Sequence, residues 1–377
     1  MDQLIIFALA FGVSLASTPL LRKAALRFGI IDRPAARKIH RVEVPYLGGV
    51  AFFLTLLVVV LTVIYAFPAY WPWCSQFVSL IAGALMVLLL GLYDDVRGAS
   101  AAVKLPCQIL IAVFMYNQGF SIGRLSNPFD FAGVSLNVSS IGVVVTALWY
   151  VALMNAVNLI DGLDGLAAGV VAIAAGTLFM IALSDQNLPV ALLSLILVGG
   201  TLGFLPYNFP PARIFMGDTG SLLLGFLIAS AAVMGETKGS TLVAMVVPMI
   251  ALGISLLDTT LAFIRRLLQR KHPFRADQQH IHHRLLKLGL SQKQVVIVIY
   301  YCSILFGLAS YLLSQVRIQY SLLTLLILGL SLFLGILILG FVERLARQRN
   351  HSAEPNEPCR IQGPSANGAD EEENGEI

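Results

Sequence analysis

Charge is what this sequence has least of. Only 12% of its 377 residues are charged and 57% are hydrophobic, whereas a soluble globular domain carries about 25% charged residues. That scarcity excludes an ordinary soluble protein. The four cysteines, Cys74, Cys107, Cys302 and Cys359, lie far apart without paired spacing, which argues against a zinc ribbon or a disulfide framework. No Gly-rich Lys-Ser/Thr loop and no dinucleotide fingerprint occurs, so neither ATP hydrolysis nor nicotinamide chemistry is indicated. The net charge of +4 is too small for a nucleic-acid partner. No repeat of fixed period is visible. The first apolar run lacks a basic leader and is followed by Arg22 and Lys23, which suits a retained helix better than a cleaved signal.

What the chain has instead is apolar runs of about 17 to 20 residues, each long enough to cross a hydrocarbon core of about 30 Å. They are continuous, as in Leu80 to Leu92 and Leu322 to Gly340, rather than alternating, which argues against a barrel. Eleven spans are expected: Leu4 to Leu21, Leu47 to Tyr65, Phe77 to Tyr93, Leu105 to Phe120, Ile141 to Met154, Leu166 to Leu183, Val190 to Leu205, Leu222 to Met234, Leu242 to Phe263, Val295 to Leu313 and Leu322 to Val342. The fourth, with Gln108 and Asn117, and the short eighth are the weakest. The fold class is an all-α polytopic membrane protein with about eleven transmembrane helices. Alternate loops hold 22 of the 25 Lys and Arg residues, so the positive-inside rule puts those loops and the C-terminus in the cytoplasm and the N-terminus outside. Residues 1–345 read as one integral-membrane domain, and 346–377 as a disordered polar, acidic tail. Ser121 to Asn137 has the turn residues of a small external hairpin.

The polar residues gather in the inside loops. Asp94-Asp95 ends the third span, with Lys104 ten residues on; adjacent acids at a membrane edge are costly, and solvated loop acids are the bland alternative. In Asn155-Ala-Val-Asn158-Leu-Ile-Asp161-Gly-Leu-Asp164-Gly165 a polar group recurs every three residues, which on a helix or helical turn makes one polar face. Capping would explain one or two of these groups but not four. In the stretch from Asn208 to Ser221, Asp218 stands between Gly217 and Thr219-Gly220, as a helix cap or as a hard ligand for Mg²⁺ beside amides that would face phosphate. The basic segment Arg265 to Lys293 contains His280-Ile-His282-His283-Arg284. Zinc competes for those histidines, but no cysteine accompanies them and the acids elsewhere offer only oxygen, which favours contact with phosphate or sugar. A smaller basic loop, Asp32 to Arg41, precedes Pro45 and Gly48-Gly49; topology alone would explain its charge, and phosphate binding is the other reading. Asp258 lies within the ninth run, where a central carboxylate costs roughly 2.5 to 3.5 kcal/mol on the insertion scale.

If the aspartates converge, each like-charge pair about 4 Å apart costs on the order of 4 kcal/mol at an effective dielectric near 20. A divalent cation, Lys104 and the histidine-arginine segment would offset that and make a site for a multiply charged phosphate.

Taken in order, the Asp-Arg-Pro…Arg-Lys-x-His loop, Asp94-Asp95 with Lys104, Asn155 to Gly165, Met216 to Ser221 and His280-x-His-His283 make the chain resemble the polyprenyl-phosphate N-acetylhexosamine-1-phosphate transferases of glycosyltransferase family 4, most closely the WecA/TagO branch, which is related to MraY. The resemblance implies a multi-pass enzyme of the bacterial inner membrane with a cytoplasmic active site. It would transfer a sugar 1-phosphate, GlcNAc-1-phosphate first among the candidates, from a UDP-sugar to undecaprenyl phosphate, releasing UMP, as the first membrane step of a cell-envelope polysaccharide. It further implies that Asp218, with Asn158, ligates Mg²⁺, with Mn²⁺ as second candidate, and that Lys104 holds phosphate. Asp94 would be the base keeping the lipid phosphate ionised, supported by Asp95; Asn155, Asp161, Asp164 and Asn208 would shape the nucleotide and metal pocket; His280, His282, His283 and Arg284 would grip the diphosphate or sugar. A second copy of the chain is a candidate partner. The competing readings are a phospho-MurNAc-pentapeptide transferase, a secondary transporter and a non-catalytic membrane scaffold.

Overall fold

A computed structural model describes residues 2–32, 43–122, 124–126, 135–137, 139–235, 285–286 and 289–315. All fall in the first of two compact units, Met1–Phe333; the second, Leu334–Ile377, lies outside the described residues. Nine α-helices occur among the described residues: α1 (Asp2–Phe28), α2 (Gly48–Ala66), α3 (Cys74–Arg97), α4 (Ala101–Asn117), α5 (Gly142–Ile160), α6 (Leu166–Ser184), α7 (Leu188–Asn208), α8 (Gly217–Met234) and α9 (Gln292–Gln315). Two short antiparallel ribbons join them, β1 (Ile31–Asp32) with β2 (Val44–Pro45), and β3 (Arg124–Ser126) with β4 (Ser135–Asn137). The second is the hairpin expected between Ser121 and Asn137.

Eight segments, all the helices but α4, are long and apolar enough to cross a membrane. The 17 residues of α4 reach only about 25 Å at 1.5 Å per residue. Nine of the eleven expected spans coincide with these helices, while Leu242 to Phe263 and Leu322 to Val342 lie outside the described residues. Runs as rich in β-branched residues as Val58-Val59-Val60 in α2 are helical here because a hydrocarbon environment offers no water to unpaired backbone groups, and a helix satisfies them within one segment. Hydroxyls follow the same rule: Thr18, Thr55 and Thr201 donate to the carbonyls of Ser14, Ala51 and Leu197, four residues back, at 2.6 to 2.7 Å.

The centre of the bundle is α8, buried from Thr219 to Met234 and packed against α2, α3, α5 and α7. Lipid tails are as apolar as leucine, so close packing and interhelical hydrogen bonds, rather than water exclusion, hold such helices together. Two glycines show how close the approach is: a Cβ on Gly49 of α2 would run into the Thr219–Gly220 backbone, and one on Gly91 of α3 into Thr219. On the α5 side the Trp149 indole N–H donates to the Ala229 carbonyl at 3.2 Å, and the Tyr150 and Ser230 hydroxyls pair at 3.0 Å.

The antiparallel connections bring the C-terminal ends of α1, α3, α5 and α7 and the N-terminal ends of α2, α4, α6 and α8 to one end of the bundle. There the segment before α2 is tied to the segment before α8: Phe215 N–H donates to Pro45 O at 2.9 Å, Gly48 N–H to Phe215 O at 3.1 Å and Gly49 N–H to Met216 O at 3.0 Å.

Candidate active site

The sequence leaves open whether Asp218 caps the eighth helix. In the structure α8 begins at Gly217, five residues before the expected span, and its N-cap residue Met216 supplies no side-chain cap. The cap comes from another helix. Asp95 at the end of α3 accepts the backbone N–H groups of Asp218 at 2.8 Å and Thr219 at 3.1 Å, and the Thr219 hydroxyl at 2.5 Å. Gly217 has φ +69°, and a Cβ there would lie 2.5 Å from the Asp95 carboxylate, so this close approach needs glycine.

With its helix capped in this way, Asp218 turns its carboxylate to other partners. Its Oδ1 accepts from Asn158 Nδ2 at 3.0 Å, and the same amide nitrogen donates to Ser221 Oγ at 2.9 Å. Its Oδ2 pairs with Lys104 Nζ, which also pairs with Asp94 Oδ2. The other Asp94 oxygen accepts from Ala99 N–H at 2.6 Å. One ammonium therefore bridges two carboxylates contributed by α3 and α8. Asp94 and Asp218, more than a hundred residues apart in sequence, thus come together on Lys104.

Asn158 and Asn155 sit one turn apart on α5. Asn155 is one turn deeper, where its amide donates to Gln108 Oε1 at 2.7 Å and to Val151 O at 2.8 Å. It makes no hydrogen bond to the aspartates. Helix α5 ends at Ile160, and the turn to α6 carries both acids of that motif. Asp164 accepts Ala212 N–H at 2.9 Å. Asn208, buried at the end of α7, accepts Gly165 N–H at 3.0 Å and donates to Ile214 O at 2.9 Å. Both therefore brace backbone. Asp161 differs: among the described residues its carboxylate has no hydrogen-bond or ion-pair partner. Burial, and after it the charges of Asp218, Asp95 and Asp164, push its carboxyl well above the ordinary range.

Tyr46, which no motif singled out, stands at the same end. Burial and the carboxylates of Asp32, Asp95 and Asp218 raise its phenol, which stays a donor at neutral pH. Thr219 and Ser221 were legible only as part of the Met216 to Ser221 motif. Gln108 had a weak signal, four residues from Lys104 and so on the same face of α4. Tyr300, whose hydroxyl donates to Gly165 O at 2.5 Å, had none. The predicted residues His280, His282, His283 and Arg284, the loop around Arg37 to Arg41, and Asp258 lie outside the described residues.

Five aspartates and one lysine thus meet at one end of the bundle, all of them oxygen donors apart from that ammonium. Among the described residues no three His, Cys, Asp or Glu side chains stand close enough together to enclose an ion by themselves. Mg²⁺ does not need such a cage, since it commonly takes one or two carboxylates and completes its shell with water and substrate phosphate. The Asn158 amide oxygen has no protein hydrogen bond among the described residues, which leaves it available beside Asp218.

Comparison with known proteins bears on the whole chain. A family model described as glycosyl transferase family 4 matches residues 77–236, the stretch that runs from α3 through α8. A probable undecaprenyl-phosphate N-acetylglucosaminyl 1-phosphate transferase of Bacillus subtilis is 37% identical over 349 residues, 92% of each chain. A decaprenyl-phosphate N-acetylglucosaminephosphotransferase of Mycobacterium tuberculosis is 32% identical over 75% of this chain and 76% of its own. A phospho-N-acetylmuramoyl-pentapeptide-transferase of Shouchella clausii is 32% identical over 80% of this chain and 93% of its own. Similarity at this level, extending well beyond the matched core on both sides, has one reading: the chain belongs to glycosyl transferase family 4.

Proposed function

We propose that this protein transfers N-acetylglucosamine 1-phosphate from UDP-N-acetylglucosamine to undecaprenyl phosphate, leaving undecaprenyl diphosphate N-acetylglucosamine and UMP. One observation carries the reading: the acids of three separated motifs, Asp94 and Asp95, Asp161 and Asp164, and Asp218, meet with Lys104 at one end of an apolar bundle. This is where a lipid anion and a water-soluble nucleotide sugar would meet. The Bacillus subtilis relative, alike over 92% of both chains, supports N-acetylglucosamine over the pentapeptide donor. A transporter would hold its polar groups near mid-membrane at broken helices, whereas these lie at helix ends.

Asp218 and the Asn158 amide oxygen are the groups that would hold Mg²⁺, or Mn²⁺ in its place. When bound, the ion offsets the negative charge of the diphosphate and of the departing UMP. The remaining work falls to the chain. Lys104, held between Asp94 and Asp218, is placed to exchange a carboxylate for a phosphate oxygen. Asp94 is the base that keeps the lipid phosphate doubly ionised, a need set by a second phosphate pKa near 6. An oxygen of that phosphate attacks the phosphorus attached to the sugar, and the bond from that phosphorus to the UMP oxygen breaks. Asp161, without a hydrogen-bond or ion-pair partner among the described residues, is assigned to the nucleotide sugar. His280, His282, His283 and Arg284 are assigned to the diphosphate or sugar from the sequence resemblance. The positive-inside pattern supports a cytoplasmic site, the eleven apolar runs a bundle of about eleven helices, and the sequence resemblance a bacterial inner-membrane location.

The experiment is direct. The purified chain in lipid nanodiscs, with Mg²⁺ and undecaprenyl phosphate, is offered a panel of UDP-sugars while UMP release is followed. Release with UDP-GlcNAc is expected. Release only with UDP-MurNAc-pentapeptide would move the protein to the pentapeptide branch, and release with no donor would overturn the reading.

A further inference from the structure

Of the two acids in the turn between α5 and α6, one is tied to a distant segment and, among the described residues, the other is not. Asp164 takes the Ala212 N–H, and Gly162 N–H donates to Ile160 O at 2.7 Å. The last residue of the turn, Gly165, is left-handed with φ +74°, and its peptide groups are held from two directions. Its N–H donates to Asn208 at 3.0 Å, and its carbonyl accepts the Tyr300 hydroxyl at 2.5 Å. That carbonyl already accepts the Gly169 N–H at 3.0 Å as an ordinary helical bond, so Tyr300 is not needed to satisfy it. The ring of Tyr300 lies in a notch over Gly169, where any Cβ would collide with it. The untied acid is Asp161, whose carboxylate has no protein partner among the described residues. A rigid turn that leaves one acid bare is built to present that acid, because a binding group is useful only when its supports are fixed.

We infer that Tyr300 is a positioning residue: from α9 it locks the Gly165 peptide, opposite Asn208, and so fixes the Asp161–Asp164 turn for the donor nucleotide sugar. The inference rests on the function proposed above for its ligand, but not for the lock itself. It also gives α9 a task beyond crossing the membrane. This helix packs against α6, and Tyr300 is where it reaches the turn that carries the acids.

Two readouts test this on the full chain in nanodiscs. Tyr300→Phe keeps the ring in its notch and removes only the hydroxyl. Without substrate, hydrogen exchange of the backbone amides from Gly162 to Gly169 is expected to speed up, while that of α8 stays at the wild-type rate. In the transfer assay the KM for UDP-GlcNAc is expected to rise about five- to tenfold, the worth of one hydrogen bond. The KM for undecaprenyl phosphate, kcat and the melting temperature should stay near wild type. Gly307→Ala is the control, since it crowds α9 against the Thr177 hydroxyl about two turns beyond Tyr300 and should leave the donor KM alone. Wild-type exchange and donor KM in Tyr300→Phe would overturn the inference, as would an equal rise in donor KM from Gly307→Ala. If Tyr300→Phe loosens the turn but the wild-type chain transfers nothing from UDP-GlcNAc, the lock stands and the donor assignment falls.

Discussion

Asp95 caps the first turn of the helix that begins with Gly217-Asp218, accepting the Asp218 N–H at 2.8 Å from across the bundle. Its neighbour Asp94 points instead to Lys104. Adjacent residues with the same side chain thus have separate partners, one a helix end and the other an ammonium that also pairs with Asp218. The two should separate cleanly in mutants.

Asp95→Ala removes three hydrogen bonds and a negative charge from a helix N-terminus. A lost cap costs about 0.5 to 2 kcal/mol, and here it also frees Asp218. The melting temperature is expected to fall, with turnover falling alongside it; thermal unfolding in detergent checks this.

Asp94→Asn should do the reverse. The fold is expected to stay near its wild-type stability, UDP-GlcNAc binding to survive and turnover to be lost. Isothermal titration with the nucleotide sugar and a UMP-release assay check the two halves, and near-normal turnover would remove Asp94 from the role of base proposed for it.

Asp161 gives a pH dependence whose sign follows from its raised carboxyl. In the metal-free protein the folded state keeps the proton over a range where the unfolded chain, titrating near 3.9, has lost it. The folded state is then penalised as pH rises from about 4 through the raised value. Asp161→Asn is expected to melt higher than wild type at neutral pH in the presence of a chelator. The difference should disappear below about pH 4; a pH series of melting curves decides it.

Divalent cation should be visible without any turnover. A ligand that binds only the folded state raises its stability by RT ln(1 + [L]/Kd). Mg²⁺ is therefore expected to raise the melting temperature of the wild-type chain, EDTA to reverse the rise, and Asp218→Ala to abolish it.

Gly91→Ala tests the packing. The added methyl has no room against Thr219, and overpacking of this kind typically costs 1 to 3 kcal/mol. Because the crowded residue is the one that bonds to Asp95, the variant is expected to lose both stability and turnover. A methyl tolerated at that contact would mean that α3 and α8 are less tightly joined than described.

Much of this site was legible in the sequence because the acids are rare. With so few charges in the chain, Asp94, Asp95, Asp161, Asp164 and Asp218 stand out, and the apolar runs between them dictate that alternate loops share one end. What each acid does there was not legible. Asp95, Asp164 and Asn208 spend their oxygens on backbone N–H groups of segments distant in sequence, and that depends on which helices become neighbours. Asn155 fits the three-residue spacing of its motif yet bonds to Gln108, because a further turn along α5 carries it away from the acids. Tyr46 and Tyr300 had no pattern to reveal them: Tyr46 lies just before α2, and Tyr300, next to Tyr301 inside α9, looks like any aromatic of an apolar helix. The start of α8 was set too late because Gly-Asp-Thr-Gly-Ser forms helix poorly on its own, and the cap that supports it comes from another helix.

The backbone ties between Pro45 to Gly49 and Phe215–Met216 make the segments that lead into α2 and α8 mechanically dependent on each other. Arg22 reinforces the join by donating from Nε to the Arg213 carbonyl, across 191 residues of sequence. Shortening or re-spacing the stretch between α1 and α2 would therefore unseat the Asp218 loop from the far side of the chain. Fusion tags, insertions or swapped leader segments near α1 should be judged by whether that loop keeps its grip.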